Sequence, residues 1–225
     1  MIKAVIFDLD GTILNTLTTI DYFVNQTLQK HRISPITMAE CKSFIGNGAR
    51  KLIERTLGSK GVNDSATVEK VLTEYNSTYD ADPFYLTEKY AGIEELLVGL
   101  KAKGIKLGVI SNKPHTTTVS AIDHFYPDLF DVVMGGKEGI PLKPNIKAAE
   151  IMLSRLEALA DEVIYVGDSG VDMEFGKSFG AAYTLGVLWG FRDRDELTAS
   201  GADFVFDDAF LMRKFIDSSI EKSCL

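Results

Sequence analysis

Histidine and cysteine are scarce in this chain, with three histidines and two cysteines in 225 residues. His31, His115 and His124 lack the spacing of a metal-ligating set, which argues against a histidine-based metal centre and leaves them as solvated or packed side chains. Cys41 and Cys224 fit reduced, unpaired thiols rather than a disulfide framework. No Lys/Arg-rich run is present, and 24 basic residues stand against 32 acidic ones, for a net charge of -8. Such a surface repels a phosphate backbone, so nucleic acid is not an expected partner. No apolar run approaches the roughly 20 residues that a membrane span needs. The opening MIKAVIFDLDG is apolar only to Phe7 and then meets Asp8 and Asp10, too short and too charged for a signal-peptide core. The expectation is a cytoplasmic protein, without a membrane partner, as a monomer or homodimer. Internal repeats and low-complexity segments are also missing.

What is there is ordinary globular composition, 45% hydrophobic and 25% charged, enough for one large domain or a core with an insert. Short apolar runs ending in Gly, Asp, Ser or Asn predict buried strands at Ile2–Phe7, Ile105–Ile110, Val132–Met134, Val163–Val166, Ala182–Val187 and Phe204–Phe206. Helical stripes lie between them. Ile93, Leu96, Leu97 and Leu100 form one, and Ile146, Ala149, Leu153, Leu156 and Leu159 another. This alternation predicts an α/β class with a Rossmann-like parallel sheet covered on both faces.

One region breaks the alternation. From Thr16 to about Asp80 there is no strand pattern, only the stripes Ile20/Phe23/Val24/Leu28, Ala49/Leu52/Ile53/Leu57 and Val68/Val71/Leu72/Tyr75. A crossover between parallel strands needs only about a dozen residues, so the excess predicts a small inserted α-helical domain. The expected division is a core of residues 1–14 and 84–225 and a helical domain of residues 15–83, with a return linker around Asp80–Tyr90.

The stretch VIYVGDSGVDMEFGKS, Val163 to Ser178, half-matches two signatures. GDSG is how many serine proteases present a nucleophile, but that reading needs a β-rich body, which the alternation denies. A P-loop needs four residues between its glycines, and Gly170 and Gly176 are separated by five. Lys177 is then a solvated helix residue, and Ser169 a helix cap or supporting hydroxyl. What remains is an apolar run that delivers Asp168, with Asp172 four residues on.

In an open α/β sheet, ligands bind beyond the carboxyl ends of the strands. There lie Asp8-Leu9-Asp10-Gly11-Thr12, Ser111-Asn112-Lys113-Pro114 and Gly167-Asp168-Ser169, with Lys143-Pro144 in a loop after the third run. Taken singly, an aspartate after a strand serves as well as a turn former or helix cap, and Lys143 as a solvated side chain. Together, at successive strand ends, they make coincidence a poor explanation. Clustered carboxylates call for a cation, and Mg²⁺ favours one or two carboxylates plus a substrate phosphate. A carboxylate can attack a phosphoryl group, a second can act as general acid and then base, and a lysine and a hydroxyl can hold the transferred group.

Four segments, VIFDLDGT (Val5–Thr12), VISNKP (Val109–Pro114), PLKPN (Pro141–Asn145) and YVGDSGVDM (Tyr165–Met173), resemble the ordered motifs of the haloacid dehalogenase-like hydrolase superfamily. The resemblance covers nearly the whole chain, and the helical insert looks like that family's C1 cap. It implies Asp8 as nucleophile, Asp10 as acid and then base, and Ser111 and Lys143 on the phosphoryl oxygens with Asn112 nearby. It implies Mg²⁺ held by Asp8, the Asp10 backbone carbonyl and Asp168, with Asp172 supporting that set or serving as an alternate ligand. An aspartate at Asp10 marks phosphoryl-transfer members, since true dehalogenases lack it.

FIGNGARKL (Phe44–Leu52), GVLWGFRDRDEL (Gly186–Leu197) and ADFVFDD (Ala202–Asp208) are similar to stretches of phosphoglycolate phosphatase-like members. By that resemblance Gly48 offers a backbone N–H to an anion and Arg50 meets a substrate carboxylate, although a flexible turn with an outward arginine explains the segment equally well. Asn15, the KYAGI stretch (Lys89–Ile93) and Gly176 depart from the pattern without touching the proposed chemistry. The implied function is a Mg²⁺-dependent phosphatase acting on a small phosphorylated metabolite, phosphoglycolate first, through an aspartyl-phosphate. The alternatives are a β-phosphoglucomutase-like isomerase, a pyrophosphatase or nucleotidase of the same superfamily, and a binding protein on a dead enzyme core. The last predicts loss of Asp8, Asp10, Lys143 or Asp168, and all four are present.

Overall fold

Six parallel strands form the central sheet, in the order β5-β4-β1-β6-β7-β8. The computed structural model describes residues 1–222, so Cys224 lies outside the described residues. The sheet strands are β1 (Ala4–Phe7), β4 (Lys106–Pro114), β5 (Val132–Gly136), β6 (Val163–Gly167), β7 (Tyr183–Val187) and β8 (Phe204–Phe206). All six coincide with the apolar runs; the central strands β1 and β6 are apolar along their length because both faces are buried, whereas the edge strand β8 leaves Phe204 exposed. The short strands β2 (Leu14–Asn15) and β3 (Glu88–Lys89) form a separate pair that two-residue segments do not announce in sequence.

The remaining helices of the sheet unit are α5 (Ile93–Ala102), α6 (His115–Phe125), α7 (Lys147–Leu156), α8 (Gly170–Phe179), α9 (Arg194–Ala199) and α10 (Ala209–Lys222), after α1 (Leu17–Lys30), α2 (Met38–Phe44), α3 (Gly48–Ser59) and α4 (Ser65–Ala81). The chain moves outward from β1 through β4 to β5, then returns to the other side of β1 for β6, β7 and β8. Right-handed crossovers in opposite directions place their helices on opposite faces. Accordingly α7 and α8 share one face, where Ala149, Met152, Phe175 and Phe179 pack on Ala4, Ile6, Val163 and Tyr165. The chain reverses direction at β1, and that reversal makes the crevice between β1 and its neighbours the place for a ligand.

The α7 face differs from the expected stripe. Its buried residues are Ala148, Ala149, Met152 and Leu156, whereas Leu159 is 66% exposed. The helix stops at Leu156 because Glu157 adopts a left-handed conformation (φ 54°), so the periodicity no longer applies beyond it.

Residue contacts divide the chain into Met1–Leu14 with Lys89–Leu225, and Asn15–Glu88. The second unit is made of α1 to α4. The stripes Ile20/Phe23/Val24/Leu28, Leu52/Ile53/Leu57 and Val68/Val71/Leu72/Tyr75 are buried as their spacing predicts. Phe23 packs edge-on against Tyr79 at 5.3 Å. The α2 helix carries no apolar stripe and buries only Cys41. Its start is fixed instead by a capping box, in which Thr37 accepts from the Glu40 N–H and Glu40 accepts from the Thr37 N–H at 2.6 Å. No helix among the described residues is long and apolar enough to cross a membrane.

Candidate active site

β1 is wholly buried between β4 and β6, and the Asp8 N–H extends the ladder by donating to the Val166 carbonyl at 2.9 Å. The chain must then turn at once. The Leu9 carbonyl accepts from the N–H groups of Thr12, Ile13 and Leu14, and Gly11 takes φ +84°. A β-carbon at Gly11 or at Gly190 would overlap the Asp168 carboxylate, so both glycines are required for close approach as well as for the turn at Gly11.

β6 delivers Asp168 beside Asp8, and Ser169 then caps α8. The Ser169 hydroxyl accepts from the Asp172 N–H, while Asp172 Oδ2 accepts from the Ser169 N–H (3.1 Å) and the Ser169 hydroxyl (2.5 Å). The four-residue spacing of the two aspartates therefore means strand end plus first helical turn. Asp168 Oδ2 accepts from the Phe191 N–H at 2.7 Å, and Oδ1 from the Thr12 hydroxyl at 3.3 Å.

Lys143 is the buried hub. Its ammonium donates to Asp8 Oδ1 (2.8 Å), Asp172 Oδ1 (2.7 Å) and the Tyr165 hydroxyl (3.0 Å), which matches the three hydrogens that a lysine carries. Tyr165 in turn donates to Asp172 Oδ1 at 2.9 Å. The loop is held by Asn112, whose Oδ1 accepts from the Lys143 N–H (2.8 Å) and whose Nδ2 donates to the Lys143 carbonyl (3.2 Å). Asn112 thus positions Lys143. Ser111, 5% exposed, accepts the Lys113 N–H at 3.2 Å on its hydroxyl oxygen and keeps its own hydrogen to donate. The β4 strand reaches these residues because it runs on to Pro114 through a register shift between Ile110 and Pro114, four residues past its expected end.

Asp10 sits apart from this hub. Its carboxylate takes the Lys113 ammonium at 3.1 and 3.5 Å. Asp8, Asp168 and Asp172 bring carboxylate oxygens within 4.8 Å of one another. Burial pushes the Asp8 carboxyl up to about 7, against the pull of Lys143, and pushes Asp168 well above the usual carboxylate range. Burial alone would lower Lys143, but Asp172 and Asp8 outweigh it and hold the ammonium well above its ordinary value. Crowded carboxylates that resist ionisation are the signature of a site short of positive charge, and an all-oxygen donor set fits a hard cation such as Mg²⁺. Asp8 and Asp168 suit that cation best, since each oxygen of Asp172 already accepts two hydrogen bonds, from Lys143 and Tyr165 or from Ser169, whereas those of Asp168 accept one each.

Gly48 and Arg50 belong to the helical unit. Gly48 opens α3 with φ +82°, and the Arg50 guanidinium pairs with Glu69 at 2.6 and 3.0 Å. Three polar residues of the site lie in segments that the sequence reading named but received no role in it: Tyr165, Thr12 and Lys113. A tyrosine inside a fully buried apolar strand was the available signal for the first.

The chain belongs to the haloacid dehalogenase-like hydrolase family, whose sequence model matches residues 5–185. Within that family it is phosphoglycolate phosphatase-like. It is 33% identical over 183 residues to a phosphoglycolate phosphatase of Cereibacter sphaeroides, covering 80% of this chain and 83% of the relative. It is 32% identical over 214 residues to that of Rhodospirillum rubrum, covering 92% and 88%. A solved structure from Lactobacillus delbrueckii subsp. bulgaricus, assigned as a phosphoglycolate phosphatase, superposes with a TM-score of 0.90 at 28% identity, over 95% of this chain and 98% of the other.

Proposed function

We propose that this protein is a Mg²⁺-dependent phosphatase of small phosphomonoesters, with phosphoglycolate as the leading substrate, acting through an aspartyl-phosphate on Asp8. The observation that carries the reading is the buried Asp8–Lys143–Asp172 cluster beside Asp168, at the carboxyl ends of β1 and β6. Asp8 attacks phosphorus while the ester P–O bond breaks, and Asp10 gives its proton to the departing alkoxide. Asp10 then takes a proton from water, whose oxygen attacks the phosphoaspartate, and inorganic phosphate leaves as the bond to Asp8 breaks. Lys143, by turning to the phosphoryl group the hydrogen now directed to Asp8, and the Ser111 hydroxyl hold the phosphoryl oxygens, with Asp172, Tyr165 and Asn112 supporting their positions. Asp8, the Asp10 carbonyl and Asp168 would hold Mg²⁺, which would supply the charge that lets an anionic nucleophile approach an anionic ester. The helical unit is read as a C1 cap, with Gly48 and Arg50 as its candidates for substrate contact.

The test is phosphate release from phosphoglycolate, pyrophosphate, nucleotides and sugar phosphates, with and without Mg²⁺. Activity is expected to need the metal and to fall about a thousandfold or more in Asp8→Asn. Full activity in EDTA, or in Asp8→Asn, would sink the mechanism.

A further inference from the structure

The site holds two lysines, Lys143 buried and Lys113 half-buried, and the proposed chemistry uses only the first. Lys143 serves the nucleophile, with its hydrogens directed to Asp8, Asp172 and Tyr165. Lys113 lies on the other functional carboxylate: its ammonium is 3.1 Å from Asp10 Oδ1, and the two side chains are only 9% and 15% exposed. A largely desolvated pair of this kind contributes little to stability, because the cost of burying the charges offsets their attraction. The pair with Asp10 is therefore not by itself a strong reason for a lysine at 113.

The reaction does supply one. Asp10 protonates the leaving oxygen, so the substituents of the carbon bearing that oxygen lie next to Asp10. Lys113 is the cation found there. Arg50, for which the sequence leaves open a substrate carboxylate or an outward turn, has its guanidinium on Glu69 and is 51% exposed. Phosphoglycolate carries its carboxylate on the carbon that bears the ester oxygen, so a group touching Asp10 on one side can reach the Lys113 ammonium with the other.

We infer that Lys113 is a specificity-determining residue that binds an anionic group on the leaving alcohol, so that the site selects phosphate esters of 2-hydroxy acids over neutral esters. This inference rests on the phosphatase reading. Lys143 and Lys113 then mark opposite ends of the scissile bond, one on the phosphoryl side and one on the alcohol side.

The test compares phosphoglycolate with its neutral carboxamide on the full-length, Mg²⁺-loaded protein, as wild type, Lys113→Met and Lys113→Arg. The ratio of two esters on one preparation is independent of the folded fraction. Wild type is expected to prefer the carboxylate. Lys113→Met should lose at least about tenfold more kcat/KM on the carboxylate than on the carboxamide, mostly through KM, as for a lost charge-assisted hydrogen bond. Lys113→Arg should retain most of the preference. Equal losses on both esters, or a wild type without preference, overturn the inference while leaving the phosphatase reading intact. A wild type that releases phosphate from neither ester overturns both.

Discussion

Asp172 Oδ1 lies 2.7 Å from the Lys143 ammonium, and its other oxygen closes the capping box on Ser169. Each oxygen therefore faces donors alone: Lys143 and the Tyr165 hydroxyl on one side, the Ser169 N–H and hydroxyl on the other. A helix cap and the position of the buried Lys143 depend on the same carboxylate.

Asp172→Asn follows from that arrangement. An amide turns its NH₂ toward donors in either orientation, so the buried network is broken both ways. Breaking it should cost about 2–4 kcal/mol of stability. With Lys143 no longer held, kcat should fall at least about tenfold. Thermal unfolding and phosphate release check the two halves, and an unchanged Tm would contradict the assignment.

Asp168→Asn should act in the opposite sense on stability. Asp168 accepts only from Phe191 and Thr12, and its carboxyl is pushed up by burial and by the neighbouring Asp172 and Asp8. An isosteric amide keeps an acceptor for the Phe191 N–H and relieves the repulsion. The metal-free variant should melt higher than the metal-free wild type, by about a few degrees. Its Tm should no longer rise on adding Mg²⁺, and activity should be lost. Scanning calorimetry in EDTA and in Mg²⁺ measures both.

The pH dependence of the metal-free protein has an unusual sign. The Asp8 carboxyl rises from 3.8 to about 7 on folding, with Asp168 shifted in the same direction. The folded state then binds more protons than the unfolded chain between those values, so stability falls as pH rises from about 4 to about 7. In EDTA the Tm should decline across that window, and Mg²⁺ at pH 7 should restore it. Denaturant titrations at fixed pH steps provide the measurement. A Tm that climbs through the window without metal would show that these carboxyls are not held protonated.

Much of this was legible in the residues. The six sheet strands announced themselves as apolar runs, and Asp8, Asp168, Ser111 and Lys143 fell at strand ends or just beyond. The α2 helix did not, because a capping box rather than periodicity defines it. Leu159 was placed on a helix that had already ended. Tyr165 and Lys113 were missed for another reason. Local pattern reveals which element a side chain sits on, whereas their partners, Lys143 and Asp10, lie far off in the chain and meet them only through the sheet. Asn112 was named for the substrate, and what its residue type could not announce is the pair of bonds by which it also holds the Lys143 backbone.

β1 pairs with β6 in the register Ala4 to Val163, two segments separated by about 160 residues, and such long-range pairing forms late. A ribosome-bound chain that has not yet exposed β6 has Asp8 but neither Asp168 nor Asp172 beside it. On the proposed mechanism, Asp8 cannot react during synthesis until β6 has emerged, an order set by the polypeptide itself. Any fragment that ends before β6 is expected to be incapable of phosphoryl transfer, however well its helices form.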